Sequence, residues 1–540
     1  MTAPIDLEAA RERKGRRGPP KEVPTSSPGD GPPAFATALT DLGNAERFAR
    51  DHGKDLRFCK DLGGWYVWTG THWELDRTLE SMRRAQRTAR SLYDEAAGLA
   101  AKLRGRPTPH DDPKVLQQLL EDTVKHARAT EERKRIGAIL ELGRAINEIP
   151  IKSEAFDRDP YALSVRNATI DLRTGEAREH RREDLITKCG PAEWRPDADA
   201  PLFTAFIERI LPDPEVRAFV QRWAGYAATG VIREHILPVW VGDGGNGKST
   251  LADLLQAVLG GYAIPMPENF LAEKKHEKHD TEIAQLFGTR LAVASETKAG
   301  VYLDESKVKR LTGGDRLAGR FMRGDYFYFD PTTKFVLFTN HKPRIKSTDQ
   351  GIRRRVVLVP FTVSVPKAEQ RETLKQEILE RESSGVLRWV VEGARAWFAR
   401  GEKLEAPLAV KLATEQYLAS EDAFGRFLEE ECELRPEDEY PVRSRIQPGE
   451  LHKRFVEWCE ANGERSFSLR AMTDQLGKLG RHAKKSNGVR WLNGIGFRGA
   501  RVISSDSPPH VRGSSGHTDD VPLASLDGEQ LDITDEWGAP

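Results

Sequence analysis

The spacing of apolar and polar positions changes several times along this chain, and each change predicts an element. Trp65-Tyr-Val-Trp-Thr-Gly-Thr-His-Trp73 alternates aromatics around Thr69-Gly70, the pattern of a small hairpin. Its rings suit a core, with base stacking as the alternative use. From Leu79 to Leu103, and again from Val115 to Ile149, apolar positions recur at helical spacing among many Arg, Lys and Glu. Long helices with one buried face are expected there. Leu163 to Gly175 reads as two short strands punctuated by Asn167, Asp171 and Gly175. Strand-like and helix-like runs then alternate from about 200 to 365, the signature of an α/β sheet domain. A helical stretch follows to Asp422. Beyond it come two amphipathic helices, Gly449–Ala461 and Ser468–Leu479, and a basic Asn-Gly hairpin around Lys484, Lys485 and Arg490, an order resembling a winged helix.

The most specific chemistry sits in Gly242-Asp243-Gly244-Gly245-Asn246-Gly247-Lys248-Ser249, which fits the Walker A pattern G-x-x-x-x-G-K-[ST]. The run Val239-Trp240-Val241 reads as a strand entering this loop, and Ser249 to Leu259 as a helix leaving it. Glycines let the backbone curl so that its N–H groups, with those of Lys248, Ser249 and Thr250 at the helix start, face phosphates. Lys248 then belongs on the β/γ-phosphates of ATP and the Ser249 hydroxyl on Mg²⁺. Pro238 cannot donate to a ladder, so the strand is expected to begin there or to be short.

Such a loop needs an acidic partner at the end of a neighbouring apolar strand. Arg290-Leu-Ala-Val-Ala-Ser-Glu296 supplies one, and Glu296 is expected to hold Mg²⁺ through water or to orient the attacking water; a solvent-facing strand end is the plain alternative. Lys334-Phe-Val-Leu-Phe-Thr-Asn340 ends in an amide suited to the γ-phosphate or that water, though turn chemistry explains it as well. Arg353-Arg354-Arg355 precedes another apolar run and offers an arginine finger for a neighbouring subunit, or a solvated basic cluster. Lys309 to Asp330 combines a glycine turn, the cations Lys309, Arg316, Arg320 and Arg323, and an aromatic strand. That local excess suits a phosphate backbone.

Composition changes little of this. Lys+Arg and Asp+Glu both number 83 in 540 residues, so the whole chain carries no net charge and only local patches can argue for nucleic acid. Cys59, Cys189, Cys432 and Cys459 lie far apart, which indicates neither a disulfide framework nor a zinc site and suits a reducing cytoplasm. No run approaches a membrane span. The expected divisions are a disordered basic tail (1–38, with Arg11 to Arg17), an α+β domain (39–195), the ATPase domain (196–365), a helical connector (366–423), the winged-helix-like domain (424–503) and a disordered acidic tail (504–540).

Taken in order, these motifs resemble the superfamily 3 helicases, specifically the phage and plasmid primase-helicase family that shares its N-terminal domain with the poxvirus primase-helicase. The Walker A residues Gly242, Gly244, Asn246, Gly247, Lys248 and Ser249 carry the likeness, followed by Ser295-Glu296, by Lys309, Leu311 to Asp315 and Arg320, by Thr339-Asn340, and by Arg354, Arg355, Pro360 and Phe361. Asn167 to Gly175 and Arg222 to Gly230 extend it upstream, with Ala168 where the family usually has Gly. The resemblance implies an AAA+-like P-loop core, α/β in class, between a mixed α+β domain and a C-terminal winged-helix-like module. It implies a homo-oligomer, typically a hexamer, hydrolysing ATP with Mg²⁺ at subunit interfaces and translocating on single-stranded or forked DNA. Lys248, Ser249 and Glu296 would serve their own site and Arg354 or Arg355 a neighbour's, with Arg320, Arg323 and Lys309 on the DNA and the tails open to replication proteins. No Asp-x-Asp pair with a partnering His, no zinc set and no room before residue 39 for a further fold point to primer synthesis, so helicase without primase is expected. Another P-loop motor or kinase, and an ATP-binding loader that does not unwind, remain open.

Overall fold

Strand order in one parallel sheet decides where the chemistry of this chain collects. The computed structural model describes residues 38–105, 112–146, 148–273, 281–296, 299–321, 325–346, 350–434 and 445–498. The basic run Arg11 to Arg17, the acidic tail and Arg323 lie outside these. Two units are resolved, divided between Asp422 and Ala423.

The first unit opens with α1 (Asp41–His52) and an antiparallel meander of β1 (Leu56–Cys59), β2 (Gly64–Trp68) and β3 (Trp73–Leu75). Trp68 stands opposite Trp73, and Trp65, Tyr66 and Trp73 are buried, so these aromatics are core. The helices α2 (Glu80–Arg104), α3 (Pro113–Thr130) and α4 (Arg133–Gly143) follow. The second helical run is therefore two helices. No glycine or proline marks the break; the tertiary setting makes it. Thr130 is buried, its hydroxyl donates to the His126 carbonyl at 2.8 Å and accepts from the Asn44 amide at 3.2 Å, and the chain turns so that Ile139 reaches Phe48 and Trp65. A second meander, β4 (Ala162–Val165), β5 (Ala168–Asp171) and β6 (Ala177–Arg178), leads to α5 (Pro201–Ile210) and α6 (Pro214–Ala228).

The main sheet then assembles from β7 (Leu237–Val241), β8 (Ala263–Pro265) and β9 (Leu291–Glu296), with α7 (Lys248–Leu259) after β7 and α8 (Thr281–Ala284) before β9. After β9 come α9 (Glu305–Thr312), a hairpin of β10 (Leu317–Arg320) and β11 (Tyr326–Phe329), β12 (Lys334–Thr339), α10 (Gln350–Arg353) and β13 (Val356–Pro360). The order is β13-β7-β12-β9-β8 and every pairing is parallel. Helices α11 (Leu374–Ala399) and α12 (Leu408–Ser420) close the unit. Successive strand residues face opposite ways. Trp240, Val293, Val336 and Val359 join the core under α5, α6, α7 and α11, whereas Val239, Ala294, Leu337 and Leu358 join Phe327, Phe329, Tyr417 and the rings of Tyr66 and Trp73.

Pro238 lies inside β7, not at its start. The Leu237 N–H donates to Arg355 O at 2.6 Å, so the next peptide nitrogen turns away from β13. On that side the ladder to β12 begins only at Val239, and the missing donor costs no bond.

Two buried cations join this sheet to what precedes it. Arg290 donates to Ala228 O (2.8 Å) and Ala162 O (2.7 Å) and stacks over Tyr262, while the Lys334 ammonium donates to Thr229 O and Thr332 O. Both stand at the carbonyl end of α6, where the helix dipole favours positive charge. Burial still drives the Lys334 pKa well below its ordinary value. Helix α6 also meets α11 backbone to backbone. A Cβ at Gly225 would stand 1.9 Å from Ala394 N, and one at Gly393 would stand 2.1 Å from Gln221 O.

The second unit runs α13 (Ala423–Glu431), β14 (Cys432–Leu434), β15 (Arg445–Ile446), α14 (Pro448–Asn462), α15 (Leu469–Lys478), β16 (Ala483–Ser486), β17 (Val489–Asn493) and β18 (Ile495–Phe497). Its three-stranded sheet has the order β15-β17-β16. Ser486 pairs with Val489 across Asn487 and Gly488, whose φ values of 51° and 83° are those of the two-residue turn that Asn-Gly favours. Phe424, Phe427, Phe455 and Trp458 fill its core.

Two glycine substitutions should act in opposite directions. Gly225→Ala should cost several kcal/mol, because the methyl group overlaps the α11 backbone. Gly98→Ala, in the exposed interior of α2 with open space at its Cβ, should add about 0.5–1 kcal/mol. Urea unfolding followed by far-UV circular dichroism measures both.

Candidate functional site

Parallel register sets three strand ends side by side: Val241, Thr339 and Glu296 stand in one row across β7, β12 and β9. The segments that follow leave the same edge, the carboxyl edge where open α/β sheets bind ligands. From β7 the chain enters the glycine loop. Gly245 and Gly247 take φ of 79° and 77°, a left-handed backbone that side chains resist. Gly247 also packs against α5, where a Cβ would stand 2.7 Å from Ile210. It caps α7 with no side-chain acceptor, so the first N–H groups of that helix face the cleft.

The cleft has a volume of about 900 Å³. Gly244 to Thr250 and Asn340 form its floor; Phe206 and Arg209 of α5 stand on one side, and Val365 to Lys375 on the other. Arg209 and Glu369 join the two sides by an ion pair of 2.6 Å. Lys248 is buried at the centre, its Nζ donating to Gly242 O (2.5 Å), Asn246 Oδ1 (2.7 Å) and Asn340 Oδ1 (3.4 Å). Burial lowers its pKa to about 8, against a weaker opposing pull from Asp243. Ser249, Asp243 and Asn340 are exposed.

Glu296 is buried and does not line this cleft. Its carboxylate faces the Asn269 side-chain amide, and with that amide oriented nitrogen-first, the sense that hydrogen bonding requires, the nitrogen donates to both oxygens, one at 3.0 Å. Asn269 sits just beyond β8 with φ of 57° and its N–H on Ser295 O at 3.2 Å, a geometry that fixes the amide over the strand end. Sequence reasoning missed it: an asparagine 27 positions before Glu296 carries no motif, and only the β8–β9 pairing brings the two together.

The two arginines offered as a finger divide. Arg355 is buried, its Nε donating to Thr312 Oγ1 (3.1 Å) and its Nη1 to Gly351 O (2.7 Å), so its guanidinium is engaged inside the subunit. Arg354 is exposed. Arg353 reaches Asp422 at 3.3 Å.

Among the candidate DNA contacts, Arg320 is exposed on β10 with its guanidinium 5.0 Å from the Tyr326 ring. Arg316 lies between Asp330 (3.4 Å) and Glu154 (3.8 Å), which offset its charge, and Lys309 is half-buried on α9. In the second unit Lys484, Lys485 and Arg490 are exposed on one hairpin, with Lys485 opposite Arg490. Among the described residues no helix is long and apolar enough to cross a membrane.

Known proteins fit this arrangement. The family described as D5 N terminal like matches residues 45–212, and a family of unknown function, DUF5906, matches 240–355. The first match ends beyond the expected boundary at 195 and takes in α5, a wall of the cleft. Proteins named "Putative helicase" are similar to the chain: one of Acanthamoeba polyphaga mimivirus is 30% identical over 50% of the chain, and one of Frog virus 3 is 25% identical over 52%. A third, of Invertebrate iridescent virus 6, is 21% identical over 79%. The chain spans only 28%, 30% and 50% of those proteins' lengths. A protein of African swine fever virus named "Putative primase" is 22% identical over 57% of the chain and 34% of its own length. The solved C-terminal region of NrS-1 covers 83% of the chain and 98% of that region at 11% identity and a TM-score of 0.45, too loose a likeness to bear on the site. The chain thus carries a D5 N terminal like segment followed by a DUF5906 segment and is homologous to viral proteins named putative helicases and primases.

Proposed function

We propose that this chain is an ATP-dependent DNA helicase of superfamily 3 type, working as a ring of six copies. The observation that carries the reading is that parallel register sets the ends of β7, β12 and β9 in one row, so that Glu296 ends one strand, Asn340 follows the next, and Lys248, beyond the third, reaches Asn340 Oδ1 at 3.4 Å. ATP belongs in the cleft, its phosphates against the loop N–H groups and Lys248. Mg²⁺ suits the exposed hard-oxygen donor Ser249 at the first turn of α7, with Glu296 behind it, and when bound it neutralises phosphate charge. Lys248 then exchanges the carbonyl oxygens of Gly242, Asn246 and Asn340 for phosphate oxygens. Asn340 holds the γ-phosphate or the attacking water, and Glu296, once released by Asn269, orients that water. Arg354 is the arginine with the exposure to serve a neighbouring site. Arg320 and the basic hairpin of the second unit, read as the wing of a winged helix from its strand order, supply DNA contacts.

Wild-type protein should hydrolyse ATP faster with single-stranded DNA than without and should separate a forked duplex, and Lys248→Ala should lose at least about 100-fold in turnover. A phosphate-release assay with and without DNA reads this; equal turnover in both conditions would overturn the helicase reading.

Phosphate binding requires the charged lysine. Because the free Lys248 titrates near 8, affinity is full below that pH and falls above it. ATP should bind about tenfold more weakly at pH 9 than at pH 7, with proton uptake at the higher pH, and calorimetry in buffers of different ionisation enthalpy measures both.

Mixing Arg354→Ala with Lys248→Ala subunits should restore part of the activity each lacks, since mixed interfaces rebuild complete sites. Arg355→Ala should instead lower stability by about 1–3 kcal/mol through its lost internal bonds and should not complement. Turnover of mixed assemblies, set beside the melting curve of each variant, separates the two roles.

A further inference from the structure

The hairpin β10–β11 presents a surface that no basic-patch argument explains. Burial along β11 alternates strictly. Phe327 and Phe329 face inward, while Tyr326 and Tyr328 are 51% and 58% exposed on the outer face. The inner face is fixed: Phe287 meets Phe327 and Phe329 edge to face at 5.9 and 5.7 Å, and Gly319 lies so close to Ala284 that a Cβ would stand 2.8 Å from its Cα. The two outer rings are therefore held at a set spacing on a rigid strand. Residues two apart along a strand repeat at about 6.8 Å, twice the roughly 3.4 Å step between stacked bases. Arg320, opposite Tyr326 in register, lays its guanidinium over that ring at 5.0 Å.

We infer that Tyr326 and Tyr328 form a base-stacking platform for single-stranded nucleic acid, with Arg320 bridging from the first ring to a phosphate. This rests on the helicase reading and adds to it the part of the strand that is gripped: unpaired bases as well as backbone. Ring and cation together decide the occupant. A base offers a flat face to each tyrosine and a phosphate to the arginine, whereas an apolar partner surface would leave the arginine without a counter-charge.

Fluorescence anisotropy of the full chain with a labelled oligothymidylate of about 20 nucleotides tests it. Tyr326→Leu and Tyr328→Leu should each weaken binding about tenfold at unchanged salt dependence, and the Phe replacements should bind as wild type does. Arg320→Ala should instead flatten the salt dependence by about 0.7 in log–log slope. A measurement on wild type alone guards against misfolded variants: an abasic oligonucleotide of equal length, with the same phosphates and no bases, should bind at least about tenfold more weakly. Equal affinity for the two oligonucleotides overturns the platform while leaving DNA binding intact. No binding to either overturns the DNA reading itself. Leu variants whose only defect is a changed assembly state by light scattering would assign the tyrosines to a contact between copies and overturn the inference.

Discussion

Two basic side chains buried at the end of one helix hold this architecture together. Arg290 immediately precedes the acidic strand and Lys334 begins the strand that leads to Asn340, and both donate to the carbonyls where α6 ends, Ala228 O and Thr229 O. Arg290 also reaches back to Ala162 in the second meander. Carbonyl oxygens at a helix end that lie away from water need donors, and a cation meets the dipole as well as the lone pairs. Charge without a carboxylate partner is costly to bury, so each of these contacts is obligatory. One cluster thereby fixes the beginnings of two strands, and the parallel register carries that placement along both strands to Thr339 and Glu296.

At the far ends of those strands the polar groups hold one another. Lys248 rests on three oxygens, one of them the amide of Asn340, and Glu296 rests on Asn269. The oxygens on Lys248 are neutral, and exchanging them for charged phosphate oxygens would strengthen the bonds it makes. The cleft is thus polar yet saturated, and its outer walls come from segments far apart in sequence, α5 on one side and residues 365 to 375 on the other.

Much of this was legible from residue order. Glycines at fixed offsets before Lys248, a strand period ahead of Glu296 and of Asn340, and Asn-Gly between basic runs are local signals, and the elements formed where those signals lie. What escaped is set by contacts across the chain. The break after Thr130 has no local marker because Asn44 and the core beneath α4 impose it. Arg354 and Arg355 are indistinguishable as letters, and only the placement of Thr312 turns one of them into an internal fastener. Arg316 reads as a free cation until Glu154, from before the second meander, comes beside it. Asn269 carried no pattern at all. Pro238 was a correct alarm with a benign answer, since strand alternation points its nitrogen where no ladder yet runs.

The contact between α6 and α11 has a mechanical side. With no side chain between Gly225 and Gly393, the two helices cannot roll or slide past one another without backbone collision. Leu374 and Lys375, at the start of α11, line the cleft, and the helix runs 26 residues, about 39 Å, to Ala399. Nearer the cleft the same helix is pinned again, where Glu382 accepts from the Leu202 and Phe203 N–H groups, so the α5 wall of the cleft and the carbonyl end of α6 are tied to one helix.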